Sequence, residues 1–315
     1  MKSITELSII IPVFNEEESI LELAEEISGV MKDLSAEYEL IFIDDGSRDS
    51  SYDKIKSLAD KDSRINGVRF RRNYGKAAAL SEGFRISNGK MIVTMDSDLQ
   101  DDPAEIPVLM KKLDEGFDVI SGWKKNRKDP WTKRFPSKIF NLVTRMMSGI
   151  KIHDFNCGLK IYRSDVIKTV RVYGELHRYI PVLAKLAGFS VSELVVNHRP
   201  RKFGKTKFGA SRFLKGFLDL TTVLFLGKFE RNPLHFFGIL GGFLFLSGLV
   251  INGYLTIQWF GEVWIGNRPI LFLGILLMIV GIQFISLGLL AEMITAREEN
   301  LKYSIAERTY VDSDV

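Results

Sequence analysis

Along residues 7 to 122 the apolar positions switch between two periods. Leu7 to Val13, "LSIIIPV", is apolar at nearly every position and reads as a strand buried on both faces. In "NEEESILELAEEISGVMKDL", Ile20, Leu23, Ala24, Ile27, Val30, Met31 and Leu34 fall on one helical stripe. Glu16, Glu17 and Glu18 are placed in the first turn of that helix, where its dipole favours them. The same alternation continues through "YELIFID" (strand), "SYDKIKSLAD" (helix), "INGVRF" (strand) and "GKAAALSEGFRIS" (helix). It ends with "KMIVTMD" (strand), a proline-opened helix "PAEIPVLMKKLDEG" and a fifth strand "FDVISG". Apolar strands alternating with amphipathic helices predict an α/β fold, a mostly parallel sheet covered on both faces. In such sheets ligands bind beyond the carboxyl ends of the strands.

Residues 123 to 231 are less regular and more basic. "FPSKIFNLVTRMMSGI" fits either a helix lying in a bilayer interface or an ordinary core helix, and "ASRFLKGFLDLTTVLFLGKF" is read as interfacial. Beyond them the pattern changes again. No Asp, Glu, Lys or Arg occurs from Asn232 to Gly261 or from Pro269 to Ala291. Each stretch exceeds the roughly 20 residues needed to cross about 30 Å of hydrocarbon, and the short link "EVWIGNR" predicts a transmembrane hairpin.

Charge orients that hairpin. Arg212, Lys215, Lys228 and Arg231 precede the first span and Arg297 and Lys302 follow the second, so the N-terminal part and the tail are expected in the cytoplasm. Met1 to Leu7 is polar and the next apolar run has the length of a strand, so no signal peptide is expected. The single cysteine, Cys157, excludes an intrachain disulfide and fits a reducing compartment. A net charge of +4 is modest, and its local excess before the membrane suits anionic lipid heads better than nucleic acid.

The candidate chemistry lies where apolar strands break off into carboxylates. "IDDGS" places Asp44 and Asp45, and "MDSDLQDD" places Asp96, Asp98, Asp101 and Asp102, at one edge of the sheet. Carboxylates crowded there repel each other unless they meet donors or a cation. Strand one runs into "PVFNEEES", which has no glycine, and this disfavours a G-x-G-x-x-G dinucleotide turn. Asp96-Ser97-Asp98 is the D-x-D arrangement of a hard divalent cation held by few protein ligands, with positions left for water and substrate phosphates. The basic segment "HRPRKFGKTKFG" is its counterpart: Arg201, Lys205 and Lys207 suit phosphate oxygens, and Gly204 and Gly209 let the loop fold over a ligand. Lys202 and Arg212 read as a flank touching lipid heads. His198 fits either a phosphate ligand or a packed strand-end histidine.

"SIIIPVFNEEESI", "IDDGSRDSS", "RNYGKAAAL", "MDSDLQDDP", "DFNCGLKIYR" and "RKFGKTKFG", in that order and followed by two spans, resemble family 2 glycosyltransferases with the GT-A fold. The nearest group in appearance is the polyisoprenyl-phosphate glycosyltransferases, relatives of dolichol-phosphate mannose synthase. The resemblance implies a cytoplasmic GT-A domain over 1–208, a juxtamembrane helix over 209–231, two spans over 232–294 and a cytoplasmic tail over 295–315. It implies that Pro12, Phe14, Glu16, Asp44 and Lys76 line the nucleotide pocket. Asp96 and Ser97 would meet the ribose and diphosphate, Asp96, Asp98 and Gln100 would hold Mg²⁺ or Mn²⁺, and Arg201 and Lys207 would bind the donor phosphates. Arg127, Lys133, Arg134 and Ser137, which precede or begin the first of the two basic helices, and Lys205 are candidate ligands of the acceptor phosphate; the resemblance favours Arg134 and Ser137, and Trp123 stands where some relatives carry an arginine. Asp154 matches the aspartate often proposed as catalytic base. Asp102, where many relatives have proline, is read as a solvated carboxylate at a helix start, and Cys157 and His153 as packing residues.

The implied reaction is inverting transfer of a sugar from a nucleotide sugar, with UDP-glucose the expected donor, to polyprenyl phosphate. GDP-mannose is the alternative donor. A processive polysaccharide synthase is disfavoured because Q-x-x-R-W is absent, and a non-catalytic nucleotide-sugar binder because Asp96, Asp98, Gln100 and Asp154 are intact. The expected partners are the nucleotide sugar, the lipid, a cytoplasmic (inner) membrane and further copies of the chain, a tetramer among the possibilities.

Overall fold

The computed structural model describes residues 5–125, 131–170, 176–200, 202–203, 219–223, 225, 232–266 and 268–297, without the side chains of 131–136, 138–140 and 296–297. The chain divides into two compact units, the first holding the described residues up to 223 and the second those from Phe225 on.

The first unit is built on seven strands. They are β1 (Leu7–Val13), β2 (Tyr38–Asp44), β3 (Ile65–Arg69), β4 (Met91–Thr94), β5 (Val119–Trp123), β6 (Lys160–Arg163) and β7 (Val191–Val195). Their order in the sheet is β3-β2-β1-β4-β6-β5-β7, with only β6 antiparallel to its neighbours. The register pairs Val13 with Asp44 and Ile10 with Thr94, so the loops after β1, β2 and β4 leave the same edge.

Both faces of the strands are covered, which is why β1 and β2 carry almost no polar positions. Ile9, Ile11, Phe42 and Val93 point to one face, where α1 (Ile20–Leu34) and α4 (Ile106–Asp114) supply Leu23, Ile27, Leu109 and Leu113. Ile10, Ile41, Ile43 and Ile92 point to the other, under α3 (Lys76–Ile86) and its Ala79 and Leu80. Burying one such side chain contributes about 1.5–3 kcal/mol, so this two-sided core is what fixes the strand ends. A smaller cluster of Ile150, Ile152, Phe155 and Tyr179 packs where α5 (Trp131–Ser148) leads toward β6.

Local details depart from the sequence pattern. Helix α1 begins at Ile20, so Glu16 to Glu18 lie in the turn before it. Glu17 serves instead the start of α2 (Ser51–Ala59), accepting from Ser50 N at 3.0 Å. β6 and β7 have four and five residues and lie in the stretch whose pattern reads as irregular.

The second unit is a pair of helices, Pro233–Phe260 and Pro269–Arg297, each long and apolar enough to cross a membrane. Glycines let their backbones meet. A Cβ on Gly241 would stand 2.6 Å from Gly281 O, and one on Gly248 would stand 2.5 Å from Gly274 O. Small residues at such crossings are the usual solution where lipid removes the hydrophobic drive to pack. The outer surface is apolar, with Ile239, Phe243, Val250 and Ile257 exposed. At one end Gln258 donates to Tyr254 Oη at 2.7 Å and accepts from Arg268.

Candidate active site

The loop after β2 uses its carboxylates to shape backbone. Asp44 is fully buried; it accepts from Ser47 N at 3.0 Å and pairs with Arg69 Nε at 3.1 Å. Asp45 accepts from Tyr74 N at 2.6 Å and Gly75 N at 2.9 Å, tying the turn to the start of α3. Burial raises the Asp45 carboxyl above its ordinary value, more than those two N–H donors lower it. Gly46 follows Asp45 at φ +72°, and a Cβ there would stand 2.6 Å from the Arg72 carbonyl carbon, so only glycine fits. The result is a cavity of about 540 Å³ beside β1, β2 and β3, lined by Phe14, Asn15, Ser47 and the arginines Arg48, Arg69, Arg71 and Arg72.

The loop after β4 uses its carboxylates to collect cations. Lys76, the first residue of α3, pairs with Asp96. Lys124, at the end of β5, pairs with Asp101 at 2.8 Å, and Asp101 also receives Asp96 N at 3.1 Å. Arg199 pairs with Asp102 at 2.7 Å. Asp102 is 8% exposed, so it is not the solvated carboxylate its position suggests, although it does cap a helical turn by accepting from Ala104 N. Asp98 Oδ1 accepts from Gln100 N at 3.2 Å. Between them Leu99 is buried with φ 61°, a left-handed conformation that costs a non-glycine residue about 1–2 kcal/mol. Strain of this kind is found where a loop's shape matters more than its stability.

This edge is strongly polarised. Burial pushes the Asp96 carboxyl up, but Lys76, Lys124 and Lys160 outweigh it and hold Asp96 well below the usual carboxylate range. Burial lowers Lys124, and the charges of Asp101 and Asp96 help to more than reverse that, so it stays an ammonium. Lys160, in β6, is lowered by burial; it lies within electrostatic reach of both Asp96 and Asp154 and donates to Cys157 O. Gly158 makes room for Asp96: a Cβ there would stand 2.6 Å from its Cγ.

Asp154 lies in the α5–β6 loop, 3% exposed, accepting from Asn156 N at 3.0 Å. Its neighbour His153 stacks on Trp123 at 4.2 Å between ring centroids and is gripped by Glu193, which accepts from its backbone N at 2.7 Å. Burial pushes the Cys157 thiol up to about 12, so it is a packing residue rather than a thiolate.

The structure thus gathers Asp96, Asp98, Gln100 and Lys76 at the β4 end, with Phe14 and Asp44 at the neighbouring strand ends. Pro12 is half-buried at the end of β1, Glu16 half-buried in the turn beyond it, and Ser97 is buried. Arg127, Arg201, Lys205 and Lys207, and the side chains of Lys133 and Arg134, lie outside the described residues, while Ser137 is half-buried on α5. His198 is 7% exposed and its backbone bridges to Asp101. Lys202 pairs with Glu22 of α1 at 2.7 Å, a protein contact where a lipid contact was expected. Lys124, Lys160 and Arg199 escaped sequence reasoning, because a basic residue in or after a short strand carries no mark of the carboxylate it will meet.

The residues fit a hard divalent cation. The Gln100 amide gives its Nε2 to Arg199 O at 3.4 Å, which leaves its oxygen as an acceptor in the same turn as the Asp98 carboxylate. Among the described residues no three His, Cys, Asp or Glu side chains form a closed cage, so such an ion would complete its shell with water and phosphate oxygens.

Comparison with known proteins follows the same lines. Residues 8–171 match the glycosyl transferase family 2 model. The chain is 38% identical over 296 residues to dodecaprenyl-phosphate galacturonate synthase of Rhizobium johnstonii, covering 92% of this chain and 87% of the relative. It is 34% identical over 289 residues to undecaprenyl-phosphate 4-deoxy-4-formamido-L-arabinose transferase of Pseudomonas paraeruginosa, covering 91% and 84%. Its fold is similar to that of glucosyl-3-phosphoglycerate synthase from Mycobacterium tuberculosis, solved with Mn²⁺, UDP-glucose and glycerol 3-phosphate. That similarity has a TM-score of 0.52 at 19% identity and covers 71% of this chain and 80% of the other.

Proposed function

The chain belongs to glycosyl transferase family 2, and from that premise we propose that it transfers a glycosyl group from a UDP-sugar to the phosphate of a polyprenyl lipid. The observation that carries this reading is the juxtaposition at the β4 end of Asp98 and Gln100 with the Lys76–Asp96 pair, in a chain that also holds two membrane-length helices. The relatives' names support the lipid acceptor, and they move the expected glycosyl group from plain glucose toward a uronic acid or a modified amino sugar.

In this reading the nucleoside occupies the cavity beside Phe14, Asn15 and Ser47, and its diphosphate lies along the loop from Asp96 to Gln100. A phosphate oxygen of the lipid attacks the anomeric carbon in line as the bond to the nucleoside diphosphate breaks, inverting that carbon. Lys76 has Asp96 as its resting partner and turns to the phosphate oxygens as negative charge builds on the leaving group. Arg201 and Lys207 neutralise the same charge. A bound Mg²⁺ or Mn²⁺, held by Asp98 and Gln100 with Asp96 nearby, supplies Lewis-acid stabilisation of that diphosphate. The acceptor needs little help from a base: a phosphate monoester has a second pKa of about 6 and is largely dianionic near neutrality. Asp154 therefore orients the acceptor, which Arg127, Lys133, Arg134, Ser137 and Lys205 bind as it arrives from an inner membrane. The sheet domain faces the cytoplasm, as the flanking basic residues favour, and copies associate through the hairpins.

A donor panel tests the reading. Protein in detergent with polyprenyl phosphate and Mn²⁺ is offered labelled UDP-glucose, UDP-galacturonate, a UDP-amino sugar and GDP-mannose, and organic-soluble label is counted. Label from a UDP-sugar is expected. Label from GDP-mannose alone would replace the donor, and none from any donor would remove the proposal.

A further inference from the structure

The second residue of the basic segment, Arg199, makes an unusual set of contacts. The Arg199 guanidinium reaches Glu26 of α1, with Nη1 at 2.7 Å from Oε2, and Asp102, with Nη2 at 2.7 Å from Oδ1. Asn197 reinforces the second partner, its Nδ2 donating to Asp102 Oδ2 at 3.0 Å. These bonds draw the chain after β7 against the D-x-D loop, where Asp101 and His198 form an isolated antiparallel bridge. There the backbone of Arg199 meets Gln100 twice. Arg199 N donates to Gln100 O at 2.9 Å, and Arg199 O accepts from Gln100 Nε2 at 3.4 Å.

The second contact has a chemical consequence. An amide side chain has one donor end and one acceptor end, and a neighbouring carbonyl accepts only from the donor end. With Nε2 committed to Arg199 O, Oε1 is turned the other way. The orientation of a surface glutamine is otherwise open, because its rotamers and its amide flip are close in energy and the side chain loses about 1.5–2 kcal/mol of rotamer entropy on being fixed.

We propose that Arg199 is the positioning residue that presents the Gln100 oxygen to a divalent cation at the donor site. The inference rests on the reading of Asp98 and Gln100 as the donor–cation edge. Its guanidinium holds α1 and the Asp102 turn together, and its carbonyl sets the direction of the amide. The fork of an arginine can satisfy Glu26 and Asp102 at once, which a lysine ammonium can do only with poorer geometry. Removing an outer partner of a metal ligand weakens metal binding by about 10–100-fold.

The test measures Mn²⁺ binding to the full chain in detergent with saturating UDP, by electron paramagnetic resonance of the free ion, for the wild type, Asp98→Asn, Arg199→Lys and Arg199→Met. A melting temperature is recorded for each, and KM and kcat for the donor. Arg199→Met is expected to weaken Mn²⁺ about tenfold, with Arg199→Lys between it and the wild type. The two substitutions are then repeated in a Gln100→Ala chain, where neither should weaken Mn²⁺ further. A general structural role would give the same loss in both backgrounds, and that result would overturn the proposal. So would wild-type Mn²⁺ affinity in Arg199→Met. Should Arg199→Met fail to fold, Glu26→Gln removes one of the two anchors, and its effect must likewise vanish in the Gln100→Ala chain. If the wild type itself, like Asp98→Asn, binds no Mn²⁺ with UDP, the donor–cation reading falls and the proposal falls with it. Loss of Mn²⁺ in Asp98→Asn but not in Arg199→Met leaves that reading standing and removes Arg199 alone.

Discussion

Two loops leave the same edge of the sheet with the same kind of sequence, aspartates at the end of an apolar strand, and they use them in opposite ways. After β2 the carboxylates of Asp44 and Asp45 accept chiefly from backbone N–H groups of Ser47, Tyr74 and Gly75, with Arg69 alone as a side-chain cation on Asp44, so the charge becomes part of a rigid wall around a cavity. After β4, Asp96, Asp101 and Asp102 are matched with Lys76, Lys124 and Arg199, side chains brought from α3, β5 and the segment after β7. A backbone donor cannot leave its acceptor without unfolding the loop. A lysine can, and in the proposed reaction Lys76, about a third exposed like Asp96, exchanges that partner for a phosphate. Adjacent carboxylates at a strand end are therefore a signal of two separate jobs, told apart by where their partners come from.

Substitutions in the two loops should diverge accordingly. The largest effect belongs to the buried pair of the β4 loop. Lys124→Met leaves Asp101 uncompensated and should cost about 3–5 kcal/mol, seen as a fall in denaturation midpoint, while Lys124→Met with Asp101→Asn should recover part of that loss. Next comes Asp98→Ala, expected to lower kcat by about 10²–10³ with the melting temperature little changed, because in the proposed reaction its carboxylate holds the cation. Lys76→Met should lower kcat about tenfold, roughly 1.4 kcal/mol of barrier. Its cost in stability stays below about 1 kcal/mol, since both side chains of the pair are about a third exposed.

The smallest effect belongs to the β2 loop. Asp45→Asn keeps one acceptor of two and should cost about 1 kcal/mol with kcat held. Its pH dependence has a definite sign. The Asp45 carboxyl is raised in the folded chain, so the stability linked to its proton is present below the ordinary aspartate value and is lost as pH rises through the folded one. Asp45→Asn should therefore be less costly at about pH 7 than at about pH 4, which thermal melts at the two values would read.

Much of this fold is legible in the sequence, for reasons that particular elements make plain. β1 and β2 are readable to the residue because a strand covered on both faces must be largely apolar, and Leu7–Val13 and Tyr38–Asp44 are so apart from Ser8, Glu39 and Asp44. The α1 stripe was readable because its period is that of a helix facing one core. β6 was not: Lys160–Arg163 has two basic residues in four, and its place between β4 and β5 depends on partners far away in the chain. The same limit applies to the site. Asp96 and Asp98 announce themselves by spacing and Gln100 through the family resemblance, whereas Lys124 and Arg199 matter only through contacts that span from 23 to 173 residues of chain. The left-handed Leu99 gave no signal at all, since nothing but tertiary packing holds a leucine there.

The central claim is that the Asp96–Gln100 turn binds a cation-bridged nucleotide sugar and drives transfer of its glycosyl group to a lipid phosphate. Its most direct test compares the wild type with Asp98→Ala in one assay, using the donor that gives most label, polyprenyl phosphate and Mn²⁺, and counting label that enters the organic phase. The account predicts rapid, lipid-dependent labelling by the wild type and about a hundredfold slower labelling by Asp98→Ala at the same UDP occupancy. Equal rates for the two proteins would contradict it.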